Sequence, residues 1–174
     1  MTLSFFSRGI LLFAAAGLLS GCFGYRVGDI SGRDLQGVHS VYVPVVKNAS
    51  LEPDIQMVAT NAIIRRFESD GTLSVNQTQD SDSELDVTIT DVQRLPIRSS
   101  TSDVLVTAEY QLTIVGKATF INRRLGKKIF ENVGVNGSTS FFTQADINEG
   151  ERQALPLACI DLANNTVKLV TEGW

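Results

Sequence analysis

An uncharged, mostly apolar run over residues 9–19 (GILLFAAAGLL) follows Arg8 and leads into Ser20-Gly21-Cys22. This feature limits the rest of the chain more than any other. A basic residue, a short apolar stretch and small residues at its end have the form of a secretory signal. A helix needs about 20 apolar residues to span a bilayer, so the run is too short for a comfortable permanent anchor. Cleavage before Cys22 removes residues 1–21 and leaves residues 22–174 to fold. That length suits one domain and can bury a real core without metal or disulfide support.

The motif Leu19-Ser20-Gly21-Cys22 resembles the lipobox of bacterial lipoproteins. In those proteins the cysteine thiol takes a diacylglycerol, the preceding peptide bond is cut, and the new amine is acylated. Each buried CH2 contributes about 0.8 kcal/mol, so several acyl chains make a stable anchor. The resemblance makes Cys22 the lipidation site. Phe23, standing where an aspartate would retain a lipoprotein elsewhere, fits sorting to the outer membrane, with the domain on the periplasmic side. With Cys22 lipidated, Cys159 has no partner for an intramolecular disulfide. Its apolar helical surroundings make it a buried small hydrophobe. The net charge is −4, and −5 once Arg8 is removed. A nucleic-acid binder would carry a basic surplus, so no nucleic-acid partner is expected. No Lys/Arg cluster lies beside Cys22 to grip an anionic leaflet, which leaves membrane attachment to the lipid anchor.

Residues 22–37 are Gly-rich and polar and form a lipidated tether. Residues 38–46 (VHSVYVPVV) are apolar and β-branched, which predicts a buried strand. Pro44 belongs at an edge or strand end, because it has no N–H for the ladder. Pro53 suits a first helical turn. Ile55, Val58, Ala59, Ala62, Ile63 and Phe67 recur at offsets of three and four, the apolar face of an amphipathic helix that Gly71 ends. Residues 73–77 form a short strand. Leu85, Val87, Ile89 and Val92 alternate with a shift near Asp91, the mark of a bulge. Pro96 interrupts the far end, and residues 99–103 (SSTSD) form a loop. Residues 104–120 predict a long strand, residues 122–128 (NRRLGKK) a hairpin tip, and residues 128–138 the return strand. Residues 138–150 are loop-like, with Phe141 and Phe142 either exposed to a partner or folded inward. A second helix covers residues 151–171, with Pro156 in its first turn or at a kink.

The order strand, helix, strand, meander, helix gives an α+β fold: a two-layer sandwich with two helices on one face of a four- to five-stranded mixed, mostly antiparallel sheet. Residues 38–174 form its single domain.

Chemistry-bearing motifs are scarce. The chain has one histidine, His39, which reads as a half-exposed strand residue rather than a catalytic base. No Cys/His cluster, phosphate loop or nucleophile elbow occurs, so neither a metal nor a cofactor nor an enzyme activity is expected. Asp80, Asp82, Glu84 and Asp86 alternate, but the EF-hand pattern fails at its sixth and twelfth positions, which leaves a solvated turn. The strongest charge cluster is Arg123, Arg124, Lys127 and Lys128 at the hairpin tip, a candidate for holding phosphate or carboxylate groups against the plain reading of a solubilising loop. Arg94 and Arg98, flanking Pro96, are a weaker candidate of the same kind.

Several segments together resemble the LptE family of lipopolysaccharide-assembly lipoproteins. They are CFGYRVG at residues 22–28, VYVPVVKN at 41–48, Glu52-Pro53, residues 62–68, AEYQLTI at 108–114, Ala154-Leu155-Pro156, Asp161-Leu162-Ala163 and TEGW at 171–174. Their order and spacing cover nearly the whole processed chain. The resemblance implies two helices packed on a mostly antiparallel sheet. It implies a role as plug and assembly partner of an LptD-type outer-membrane β-barrel while lipopolysaccharide passes to the outer leaflet. Some members bind lipopolysaccharide through basic loop residues. Charge alone points to Arg123, Arg124, Lys127 and Lys128 as the lipopolysaccharide-binding candidates here. The alternative is a lipid-anchored binding module of another envelope machine, such as a peptidoglycan synthase activator or a secretion-channel lipoprotein.

Overall fold

The computed structural model describes residues 35, 37–76, 78, 80–99, 107–142 and 147–172. The signal, the lipobox with Cys22, nearly all of the tether, most of the SSTSD loop, the start of the strand predicted from residue 104, and Trp174 lie outside them.

The elements in chain order are β1 (Ser40–Tyr42), β2 (Lys47–Asn48), α1 (Ile55–Asp70), β3 (Ser74–Asn76), β4 (Ser83–Ser99), β5 (Thr107–Asn122), β6 (Lys127–Phe142) and α2 (Ile147–Thr171). They form one mixed sheet in the order β3-β1-β4-β5-β6, with β2 also on β4. β1 runs parallel to both β3 and β4, and the long β4-β5-β6 meander is antiparallel. The α+β sandwich is as expected, but the sheet has six strands rather than four to five.

The additional strand lies past Pro44. Of the strand predicted over residues 38–46 only Ser40–Tyr42 is strand, and a second short strand forms past the proline and beyond the predicted span, at Lys47–Asn48; both pair in parallel with β4. Tyr42 stands opposite Glu84 and Lys47 opposite Thr88, so the chain here carries one residue more than β4 over the same span. The Val46 N–H at the break donates to Thr60 Oγ1 of α1 at 2.9 Å, and that hydroxyl donates to the Gln56 carbonyl at 2.6 Å. A buried helix threonine thus satisfies the donor that the broken ladder leaves over.

On β4, Ser83, Leu85, Val87 and Ile89 are buried in alternation. The register then slips between Ile89 and Asp91, so Thr90 is a bulge residue. Beyond it Val92 and Arg94 take over the core side, opposite Ile114 and Leu112. β4 continues through Pro96 to Ser99 instead of stopping at the proline. Past Ile89 no described strand pairs with its other edge, so a missing N–H is tolerated there. Leu112, Ile114, Ala118 and Phe120 of β5 and Val135 and Phe141 of β6 complete the buried face. Fully burying such large side chains stabilises the fold by about 1.5–3 kcal/mol each.

α1 buries Ile55, Ala59, Ile63 and Phe67, as their spacing predicts. Gly71 caps it with φ 76°, its N–H bonded to the Phe67 carbonyl. Pro53 lies in the turn ahead of the helix rather than within its first turn, and Asp54 at φ 59° makes the entry. α2 starts earlier than expected, so Pro156 falls in its interior. β6 runs on to Phe142 through part of the expected loop. Its last two residues divide the alternatives between them. Phe141 folds inward and stacks on Tyr110 at 5.8 Å, whereas Phe142 is exposed.

The helix layer meets the sheet most closely at Gly137. A Cβ there would lie 2.1 Å from the Leu162 nitrogen and 2.4 Å from the Ala158 carbonyl oxygen. α2 also covers the outer edge of β6, because Asp161 accepts from the Ser138 N–H and Asn165 donates to the Asn136 carbonyl. Those contacts occupy backbone groups that an open edge would offer to another strand.

Candidate functional site

The β5–β6 hairpin turns through residues 123–126. Buried Asn122 accepts the Leu125 N–H through its side-chain oxygen at 3.1 Å, and Gly126 adopts φ 63°. The structure brings all four candidate cations to this tip and gives them different roles. Arg123 turns inward. Its Nε and Nη2 donate to Glu84 Oε2 at 2.9 and 2.6 Å, and its guanidinium lies 5.5 Å from the centre of the Tyr42 ring. Arg124 donates to the Gly37 carbonyl at 2.9 Å and lies 3.7 Å from Asp82. Lys128 pairs with Glu131. Lys127 is exposed and makes no ion pair among the described residues.

The acidic partners come from the alternating segment that reads in sequence as a solvated turn. Asp82 accepts from the His39 N–H at 2.9 Å and from the Ser40 hydroxyl at 3.3 Å. The His39 N–H holds its carboxyl below the ordinary range, helped by the Ser40 hydroxyl and the charge of Arg124, against a smaller opposing effect of burial. Asp86 pairs with Lys47 at 3.6 Å. Among the described residues no three His, Cys, Asp or Glu side chains are grouped to hold a metal.

The tip is thereby stapled to the start of the folded domain. Gly37, His39 and Ser40 stand at the start of the described domain, so the exposed cations Arg124, Lys127 and Lys128 sit beside its N-terminal end. No sequence pattern marks this, because the contacts join residues about 40 to 90 positions apart. The cluster offers several charge-assisted donors to an anionic group.

The remaining candidates are internal ties. Arg94 reaches Glu151 of α2 at 3.0 Å, and Arg98 lies 3.5 Å from Glu109. Glu151 is buried, and its other oxygen has no partner among the described residues. Burial raises its pKa, Arg94 opposes that rise, and Glu52 adds to it. Cys159 is fully buried, and burial pushes its thiol up to about 11. His39 is exposed.

The model of the LptE family, described as lipopolysaccharide-assembly, matches residues 38–168. A match over most of the chain defines its class, an α+β domain of the lipopolysaccharide-assembly type. The chain belongs to the LptE family. No curated protein matches it. Among solved structures it is similar to the minor lipoprotein of Acinetobacter baumannii, at TM-score 0.50 and 13% identity over 77% of this chain and 92% of that one. It is also similar to lipoprotein B of Nitrosomonas europaea, at TM-score 0.50 and 10% identity over 86% and 88%. At such identities these likenesses show the fold alone. No helix among the described residues is long and apolar enough to cross a membrane.

Proposed function

We propose that the chain is an outer-membrane lipoprotein, anchored through Cys22 on the periplasmic side, that plugs and helps assemble an LptD-type β-barrel delivering lipopolysaccharide to the outer leaflet. Membership of the lipopolysaccharide-assembly family carries this reading. The surface is compatible with it. The sheet face away from the helices presents Glu84, Asp86, Thr88, Gln111, Thr113 and Lys117, with Leu95 and Phe142 exposed toward the far end of the meander. A barrel lumen is polar and water-filled, and such a face suits it. The tether over residues 23–37, fully extended, spans on the order of 50 Å, enough to cross from a leaflet into a lumen. Arg124, Lys127 and Lys128 at the hairpin tip are the residues we assign to lipopolysaccharide phosphates, with Arg123 holding the tip in place.

The test is purification of the tagged full-length chain from detergent-extracted envelopes. A barrel recovered in 1:1 ratio is the expected result. Recovery with a peptidoglycan synthase, or as a homo-oligomeric ring, overturns the proposal and favours a binding module of another envelope machine.

A further inference from the structure

The outward faces of α1 and α2 do not close on each other. Between them lies a groove of about 480 Å³, within the range of about 300–1,000 Å³ typical of ligand clefts. Its apolar lining comes from Val58 and Ala62 of α1 and Pro156 and Ile160 of α2, and Arg65 and Arg66 line it beside them. Ile160 is half exposed. A single exposed apolar residue on a helix needs no explanation, but a lined groove of them marks a contact surface.

The charge on this groove runs against that of the molecule. The chain is net acidic, yet no carboxylate lines the groove. Arg66 is tied to Asp70 at 3.6 Å, whereas Arg65 is exposed and makes no ion pair among the described residues. Asn61 and Asn164 add amides, one from each helix, that can pair with a peptide backbone. An occupant must therefore supply an apolar side chain for the apolar lining, a carboxylate for Arg65, and backbone groups for the amides. A peptide segment has all three.

We infer that the α1–α2 groove docks an acidic, apolar-tipped loop of the partner protein. The inference rests on the barrel-plug reading, and the partner is the barrel.

The test places a photocrosslinking benzoylphenylalanine at Asn61 or Ile160 in the groove, and at Lys117 on the opposite sheet face, in cells making the full-length chain. The groove positions are expected to crosslink to the barrel, through a peptide with Asp or Glu within a few residues of the linked site. Arg65→Glu should lower barrel recovery at least about fivefold, because it sets like charges against each other at the interface. Arg65→Lys should restore it, and the thermal unfolding of both variants should be unchanged. Barrel crosslinks from Lys117 without any from the groove overturn the inference and leave the plug reading intact. Groove crosslinks confined to lipid, or to a second copy of the chain, overturn it as well. Absence of barrel crosslinks at all three positions overturns both.

Discussion

Replacing Gly137 with alanine should damage this fold far more than its chemistry implies. Glycine weakens a strand interior, so alanine at an unobstructed strand site is neutral or stabilising by up to about 1 kcal/mol. At Gly137 the added Cβ would meet α2 backbone at 2.1 Å, against an ordinary contact of about 3.5 Å or more. The helix would have to retreat by roughly 1.4 Å or more, and its contacts with β6 would loosen along with it. Overpacking costs about 1–3 kcal/mol, and the obstacle here is backbone rather than a side chain that can swing away, so about 3 kcal/mol is expected. For a domain of this size that lowers Tm by about 6–12 °C. Gly134 is the internal control. It lies on the same strand, and a methyl added there would have nothing within 4 Å. Gly134→Ala should melt within about 2 °C of the parent protein. Thermal unfolding followed by circular dichroism measures both. Gly137→Ala melting with the parent, or Gly134→Ala falling as far, would refute this reasoning.

Three further outcomes follow from the same contacts. Arg123→Ala should cost about 2 kcal/mol through loss of the Glu84 hydrogen bonds and the Tyr42 contact, whereas Lys127→Ala should stay within about 0.5 kcal/mol, as read by urea denaturation. Asp82 has a lowered pKa, so the stability it contributes is present above the ordinary carboxylate range and lost as pH falls through its folded pKa, below about pH 4. Asp82→Asn should therefore flatten the acid limb of the stability curve there, and an unchanged limb would count against the staple. The Cys159 thiol, raised to about 11 and fully buried, should not react with a disulfide reagent at pH 8 in the folded protein and should react fully in denaturant.

Local chemistry made much of this fold legible in the sequence. Periodicity placed the α1 face, Gly71 its end, residues 122–128 the hairpin tip, and the shifted alternation near Asp91 the bulge at Thr90. Prolines were harder to place. Near Pro44 the predicted strand stops at Tyr42, and the added strand β2 forms beyond the predicted span, at Lys47–Asn48. Pro96 stays within β4 because that edge is open, and Pro156 lies inside α2 because the helix begins a few residues earlier than its apolar pattern. The candidate site was legible only as a set of charges. That Arg123 is occupied by Glu84 and Tyr42, while Lys127 stays exposed, depends on the β4–β5 register and on the parallel seating of β1. Those pairings join distant segments and leave no local signal.

The most direct test of the central claim is depletion of the chain from growing cells, with lipopolysaccharide at the outer leaflet labelled from outside. Newly made lipopolysaccharide is expected to stop reaching the outer leaflet, and the partner barrel to accumulate in a misassembled form. Undiminished surface delivery in cells shown to lack the chain would contradict the claim.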